Sequence, residues 1–292
     1  MPMKTRKIEK VVLGIPTEDG AGVKLTRALN RPLQRRLDPF LMLDHFHSDK
    51  PDDYLAGFPD HPHRGFETVT YMLEGKMRHR DSAGHEGLLE GGGVQWMTTG
   101  RGLIHSEIPE QENGLMSGFQ LWVNLPSHAK MMRPQYRDFK ASEIPQIDLP
   151  SGGSLKVIAG EWNGTRGAVQ QPFTDPLYLD VRLPAGASFE VPIPADHHSF
   201  LYVYEGEIVD EAGTVASASQ LAVLAQDPTA DGLRIQSPKG ARVLILAGKP
   251  LNEPIAQYGP FVMNTEAQLH QTIADFQNGE FERSTSEAVK LN

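Results

Sequence analysis

Glycine and proline cut this chain into short apolar runs, and that punctuation restricts its fold more than any other feature. The 28 Gly and 22 Pro are spread along all 292 residues. The runs between them are only a few residues long and rich in β-branched and aromatic side chains. Closely spaced runs bounded by turn residues predict many short antiparallel strands in place of a parallel α/β sheet. Residues 8–15 and 23–29 read as a first hairpin turning at Asp19-Gly20, and residues 40–44 as a short buried strand. Further strands are predicted over 68–73, 76–81, 94–98 and 119–125. Residues 126–153, with four prolines and a terminal Ser-Gly-Gly, read as a connector carrying a helical turn near 141–144.

Two short patterns inside this frame point to chemistry. His61 and His63 are two residues apart, and so are His105 and Glu107. Alternate side chains of a strand share a face, so each pair can aim both members into one barrel interior. Three imidazoles and a carboxylate make a ligand set without sulfur. Such a set suits Fe(II), Mn, Ni, Cu or Zn and does not choose among them. His79, His85, His128 and His270 show no comparable partner in the sequence.

The second half echoes the first. DPFLMLD at 38–44 returns as DPLYLD at 175–180, and YMLEG at 71–75 returns as YVYEG at 202–206. Aligning the two Glu-Gly turns sets Pro192 opposite His61 and Pro194 opposite His63. The second half therefore keeps the scaffold without the ligands, and it is expected to hold no metal. The expected domains are residues 1–140, with the metal site, and residues 141–292, with a C-terminal helix carrying the apolar stripe Leu269, Ile273 and Phe276. Thr265 and Gln268 form a capping box for that helix, and Gly279 sits where a helix C-terminus takes glycine.

Composition narrows the function classes. The 28 basic and 37 acidic residues leave a net charge of −9, which weighs against direct nucleic-acid binding. The small cluster Lys4, Arg6, Lys7 and Lys10 reads as a solvated terminus. With no cysteine, disulfides, thiolate ligands and a cysteine nucleophile are excluded. The early apolar run Val11-Val12-Leu13 is too short for a signal-peptide core, and no run approaches membrane-spanning length. A cytoplasmic protein is the expectation.

Long strings now carry a family resemblance: HPHRGFETV at 61–69, QWMTTGRGLIHSE at 95–107, LWVNLP at 121–126 and GPFVMNT at 259–265. Together they resemble the pirin family of the bicupin superfamily. The resemblance implies an all-β fold of two antiparallel, jelly-roll-type β-barrels set face to face, with a short C-terminal helix. It implies one metal ion, iron being usual, held by His61, His63, His105 and Glu107. Many other cupins take the carboxylate from the position of Glu67, which lies at even spacing from His63; Glu107 is taken as the ligand and Glu67 as its outer neighbour. The resemblance also implies two functions of different class. One is a dioxygenase that opens flavonols such as quercetin with O2 and releases carbon monoxide, with Glu107 as the base that takes the 3-hydroxyl proton. The other is a non-enzymatic, redox-sensitive iron protein that regulates a protein partner.

Overall fold

A computed structural model describes residues 3–281. All of its sheets are antiparallel, as the short punctuated runs predict, and they gather into two compact units. Among the described residues one unit takes 3–15, 26–41 and 142–250; the other takes 16–25, 42–141 and 251–281. Each unit thus gathers three separate stretches of the chain, and the first strand and the C-terminal helix fall in different units. Strand Ile8–Leu13 pairs with Gln220–Leu224 in the later unit. The C-terminal helix Glu266–Gln277 packs through Leu269 with Phe261, Met263, Phe281 and Ile104 in the earlier one. An edge strand pairs wherever its register and apolar face fit, and no local signal announces the choice.

The metal-motif unit is built from two sheets. The longer runs, in spatial order, through Gln135–Phe139, Val94–Thr98, Phe66–Glu74, Met116–Asn124, Phe40–Ser48, Val23–Leu29 and Ile15–Asp19. The shorter runs through Phe58–His63, Leu103–Pro109, Lys76–Asp81 and Glu86–Glu90. Val23, Leu25, Phe46, Met72, Met77, Leu89 and Met116 form a buried apolar cluster between them. The expected first hairpin begins at Ile15, one strand later than the sequence suggests.

The other unit is filled by alternating side chains such as Leu177, Leu179, Val181, Leu201, Val203, Val243 and Ile245. On its strand Ser188–Pro192 the inward residues are Phe189 and Val191, followed by Ile193, whereas Pro192 and Pro194 are exposed. The repeat alignment is therefore one residue out of phase there: apolar side chains, not the prolines, take the inward positions. Arg6 is likewise not solvated. It is buried, and its guanidinium donates to His197 O at 2.6 Å and to Ser199 Oγ at 3.0 Å.

Several tethers fix the strand that carries His61 and His63. It ends at Arg64-Gly65, where Gly65 has φ +91° and an added Cβ would stand 2.0 Å from Val262 O. Only glycine fits that approach. Arg64 donates to Asp275 Oδ2 at 2.6 Å and lies over the Phe281 ring at 4.5 Å. The buried Lys130 ammonium donates to Gly65 O (2.7 Å), Asn124 Oδ1 (2.6 Å) and Val262 O (2.9 Å). Lys130→Met keeps the stem and removes three donors from buried acceptors. We expect a loss of about 3 kcal/mol, read as a lower urea midpoint with an unchanged slope; an unshifted midpoint would show that the ammonium does not tie these segments together.

His45, on strand Phe40–Ser48, stacks on Phe119 with centroids 4.6 Å apart. Burial, and then the neighbouring His47, push its imidazole down to about 3 from an ordinary 6.5. Below pH 6.5 the unfolded chain takes up a proton that the folded chain refuses until about pH 3. The stability linked to His45 is thus present above pH 6.5 and is lost as pH falls toward 3. Between pH 7 and 5 that amounts to about 2 kcal/mol. In His45→Phe the drop in urea midpoint over that interval should be smaller than in wild type, and an equal drop refutes the assignment.

Candidate metal centre

His61 stands directly opposite His105 across the strand pair, and His63 stands opposite Leu103. Cross-strand partners share a face, so all three imidazoles project to the same side of the shorter sheet. One ligating nitrogen from each lies within 4.8 Å of the others. The ring centroids are 4.3 Å (His61–His105), 4.7 Å (His61–His63) and 4.9 Å (His63–His105) apart. Phe66 and Trp122 wall His63 at 5.1 and 5.3 Å.

The electrostatics suit a cation. Burial, followed by the neighbouring imidazoles, holds His63 and His105 well below the ordinary histidine range. Both are therefore neutral near pH 7, the form that ligates metals. His63 Nδ1 and His105 Nε2 are buried and make no hydrogen bond among the described residues. His61 Nδ1 lies 2.8 Å from Pro59 O; donating there leaves its Nε2 lone pair free. Unpaired buried nitrogens cost about 1–3 kcal/mol each, a cost that a divalent ion would remove. The donor set fits such an ion, and the three histidines can hold one.

Glu107 is buried on the same strand, beyond an irregularity in register between His105 and Glu107. Its carboxylate faces the longer sheet, accepting from Thr70 Oγ1 at 2.7 Å and Gln120 Nε2 at 3.3 Å. It thus lies between the two sheets, on the side to which the imidazoles project, but the close cluster consists of the three histidines. Glu67 does not share that side. Phe66 and Thr70 touch the site residues, so alternation along Phe66–Glu74 turns Glu67 to the opposite face, where Thr98 Oγ1 donates to it at 2.6 Å. The even spacing from His63 misleads because the bend at Gly65 resets the parity.

His79 is the residue that the sequence reading missed. It is buried on strand Lys76–Asp81, opposite Glu107 in register, and its Nδ1 is 3.5 Å from His105 Nδ1. The available signal was the alternation Met77, His79, Asp81, which marks one buried face.

Two antiparallel β-barrels from one chain, with three inward histidines in one of them, define a bicupin. Comparison with known proteins narrows this: the sequence model of pirin matches residues 22–123, and that of the pirin C-terminal cupin domain matches residues 178–282. The chain belongs to the pirin family. A pirin-like protein of Caulobacter vibrioides is 50% identical over 280 residues, 96% of this chain and 100% of the relative. Human pirin is 41% identical over 295 residues, covering 98% of both chains. The crystal structure of a quercetin 2,3-dioxygenase from Acinetobacter baumannii superimposes with TM-score 0.89 at 35% identity, covering 95% of this chain and 98% of the other. No helix among the described residues is long and apolar enough to cross a membrane.

Proposed function

We propose that this member of the pirin family is a metal-dependent dioxygenase that opens flavonols such as quercetin with O2 and releases carbon monoxide. The observation that carries the reading is the cluster of half-buried His61 with buried His63 and His105, and the Glu107 carboxylate held between the same two sheets. The likeness to a quercetin 2,3-dioxygenase supports it. In this reading one divalent ion, iron by preference and Mn, Ni, Cu or Zn by substitution, is held by the three histidines with Glu107 completing the set. Such an ion supplies a positive centre that attracts a phenolate and allows it to react with O2.

The chain's own residues do the rest. Glu107 takes the proton of the flavonol 3-hydroxyl and returns it when the ring opens; C3 leaves as carbon monoxide, and both oxygen atoms stay in the ester product. Thr70 and Gln120 hold the carboxylate in place for that transfer. Phe66 and Trp122, 4.4 Å apart, provide an aromatic wall for a flat ring system. The Trp122 Nε1 donor and Thr68 Oγ1 are buried without hydrogen-bond partners among the described residues and sit directly opposite each other in register. Both suit the oxygens of a polyphenol. Metal analysis of protein purified without added metal, followed by quercetin absorbance and carbon monoxide detection on the same sample, tests the reading. Metal-loaded protein that leaves quercetin unchanged in air refutes it, and the regulatory role then takes its place.

A further inference from the structure

We propose that His79 is a positioning residue for the metal centre: it accepts the Nδ1–H of His105 and so fixes the tautomer and plane in which His105 offers Nε2 to a divalent cation. The inference rests on the reading of His61, His63 and His105 as metal ligands. Two imidazole nitrogens 3.5 Å apart make a sensible contact only when one carries the hydrogen and the other the lone pair. His105 Nε2 is the nitrogen without a hydrogen-bond partner. If its lone pair serves a cation, the hydrogen of neutral His105 is on Nδ1, and His79 must present a lone pair there. The hydrogen of His79 then lies on Nε2, which makes no hydrogen bond among the described residues and faces Asp81 Oδ2 at 3.9 Å, an electrostatic contact only. A carboxylate on that side favours this arrangement over the opposite one.

The plane of the His79 ring is also set. Tyr136 stacks on it at 4.8 Å and 13°, and the other face of the chain of rings continues to His85 at 5.4 Å and 19°. His85 Nδ1 is 2.8 Å from the same Asp81 Oδ2. Turning His79 about its ring axis would move its nitrogens off both His105 and Asp81. The bland alternative is that His79 merely fills space against Tyr136, a task for which any ring of similar size serves.

Two substitutions separate these roles. His79→Phe keeps a ring against Tyr136 and removes the acceptor; His79→Asn loses the ring and places an amide oxygen near the Nδ1 position. Metal-free full-length protein is titrated with Co(II) alone, reading affinity by chelator competition and the ligand-field absorption of the bound ion. Removing an outer partner of a metal-bound histidine weakens binding about 10–100-fold. That loss, with a shifted absorption band, is expected for His79→Phe, whereas His79→Asn should stay close to wild type even where its metal-free form melts at a lower temperature. If the phenylalanine variant does not fold, His79→Leu makes the same removal. Wild-type affinity and spectrum without the acceptor, or an asparagine variant as weak as the phenylalanine one, overturns the proposal. A wild type that binds no Co(II), or binds it equally well as His61→Ala, shows instead that the metal reading itself has failed, and the role of His79 falls with it.

Discussion

Glu107→Gln should retain some of its metal and lose, per bound ion, about 10²–10⁴-fold of its quercetin turnover, the range that a positioned proton-transfer group contributes. The substitution preserves shape. The new amide oxygen can still accept from Thr70 Oγ1, which donates to Glu107 at 2.7 Å, so the side chain has reason to stay between the two sheets. What disappears is the basicity that takes the flavonol hydroxyl proton. The deficit should fall on kcat more than on KM, because proton transfer belongs to the reaction step and not to docking of the ring. Steady-state absorbance assays on metal-quantified samples give both constants. A variant that turns over quercetin at the wild-type rate removes Glu107 from the mechanism.

His105→Ala should abolish metal binding while the metal-free protein remains folded. The loss should exceed the ~10–100-fold typical of an outer partner, because a ligand itself is removed. The fold should survive because the apolar cluster joining Phe46 and Met72 of the longer sheet to Met77 and Leu89 of the shorter one holds the two sheets without help from an ion. Elemental analysis and a thermal melt of the same sample read the two effects separately. Stoichiometric metal in the variant would mean that the ion is held elsewhere, and unfolding of the metal-free variant would mean that His105 supports the barrel itself.

The parts of this centre that were legible in the sequence are those governed by strand parity. His61 and His63 share a face because nothing interrupts the alternation between them, and His105 joins them as the direct partner of His61. Glu67 was misplaced because one left-handed glycine, Gly65, lies between it and His63. His79 was hidden for a different reason: it comes near His105 only through the pairing of Lys76–Asp81 with Leu103–Pro109, and pairing partners leave no mark in local composition. The helix Glu266–Gln277 was readable to its caps, since the Thr265–Gln268 capping box is a local device. Its place in the earlier unit was not, because Phe261, Phe281 and Ile104 meet it from distant parts of the chain.

The exchanged chain ends bear on how the protein is made. Leu13 pairs with Gln220, and at roughly 5–20 residues per second a ribosome needs on the order of 10–40 s to deliver that partner. The unit holding the three histidines also waits, because Arg64 needs Asp275 and Phe281. Neither barrel can therefore close in turn as it emerges, and the usual advantage of finishing one domain before starting the next is lost. Early strands with open edges spend that interval exposed, so chaperone holding during synthesis should matter more for this fold than for a tandem pair of self-contained barrels.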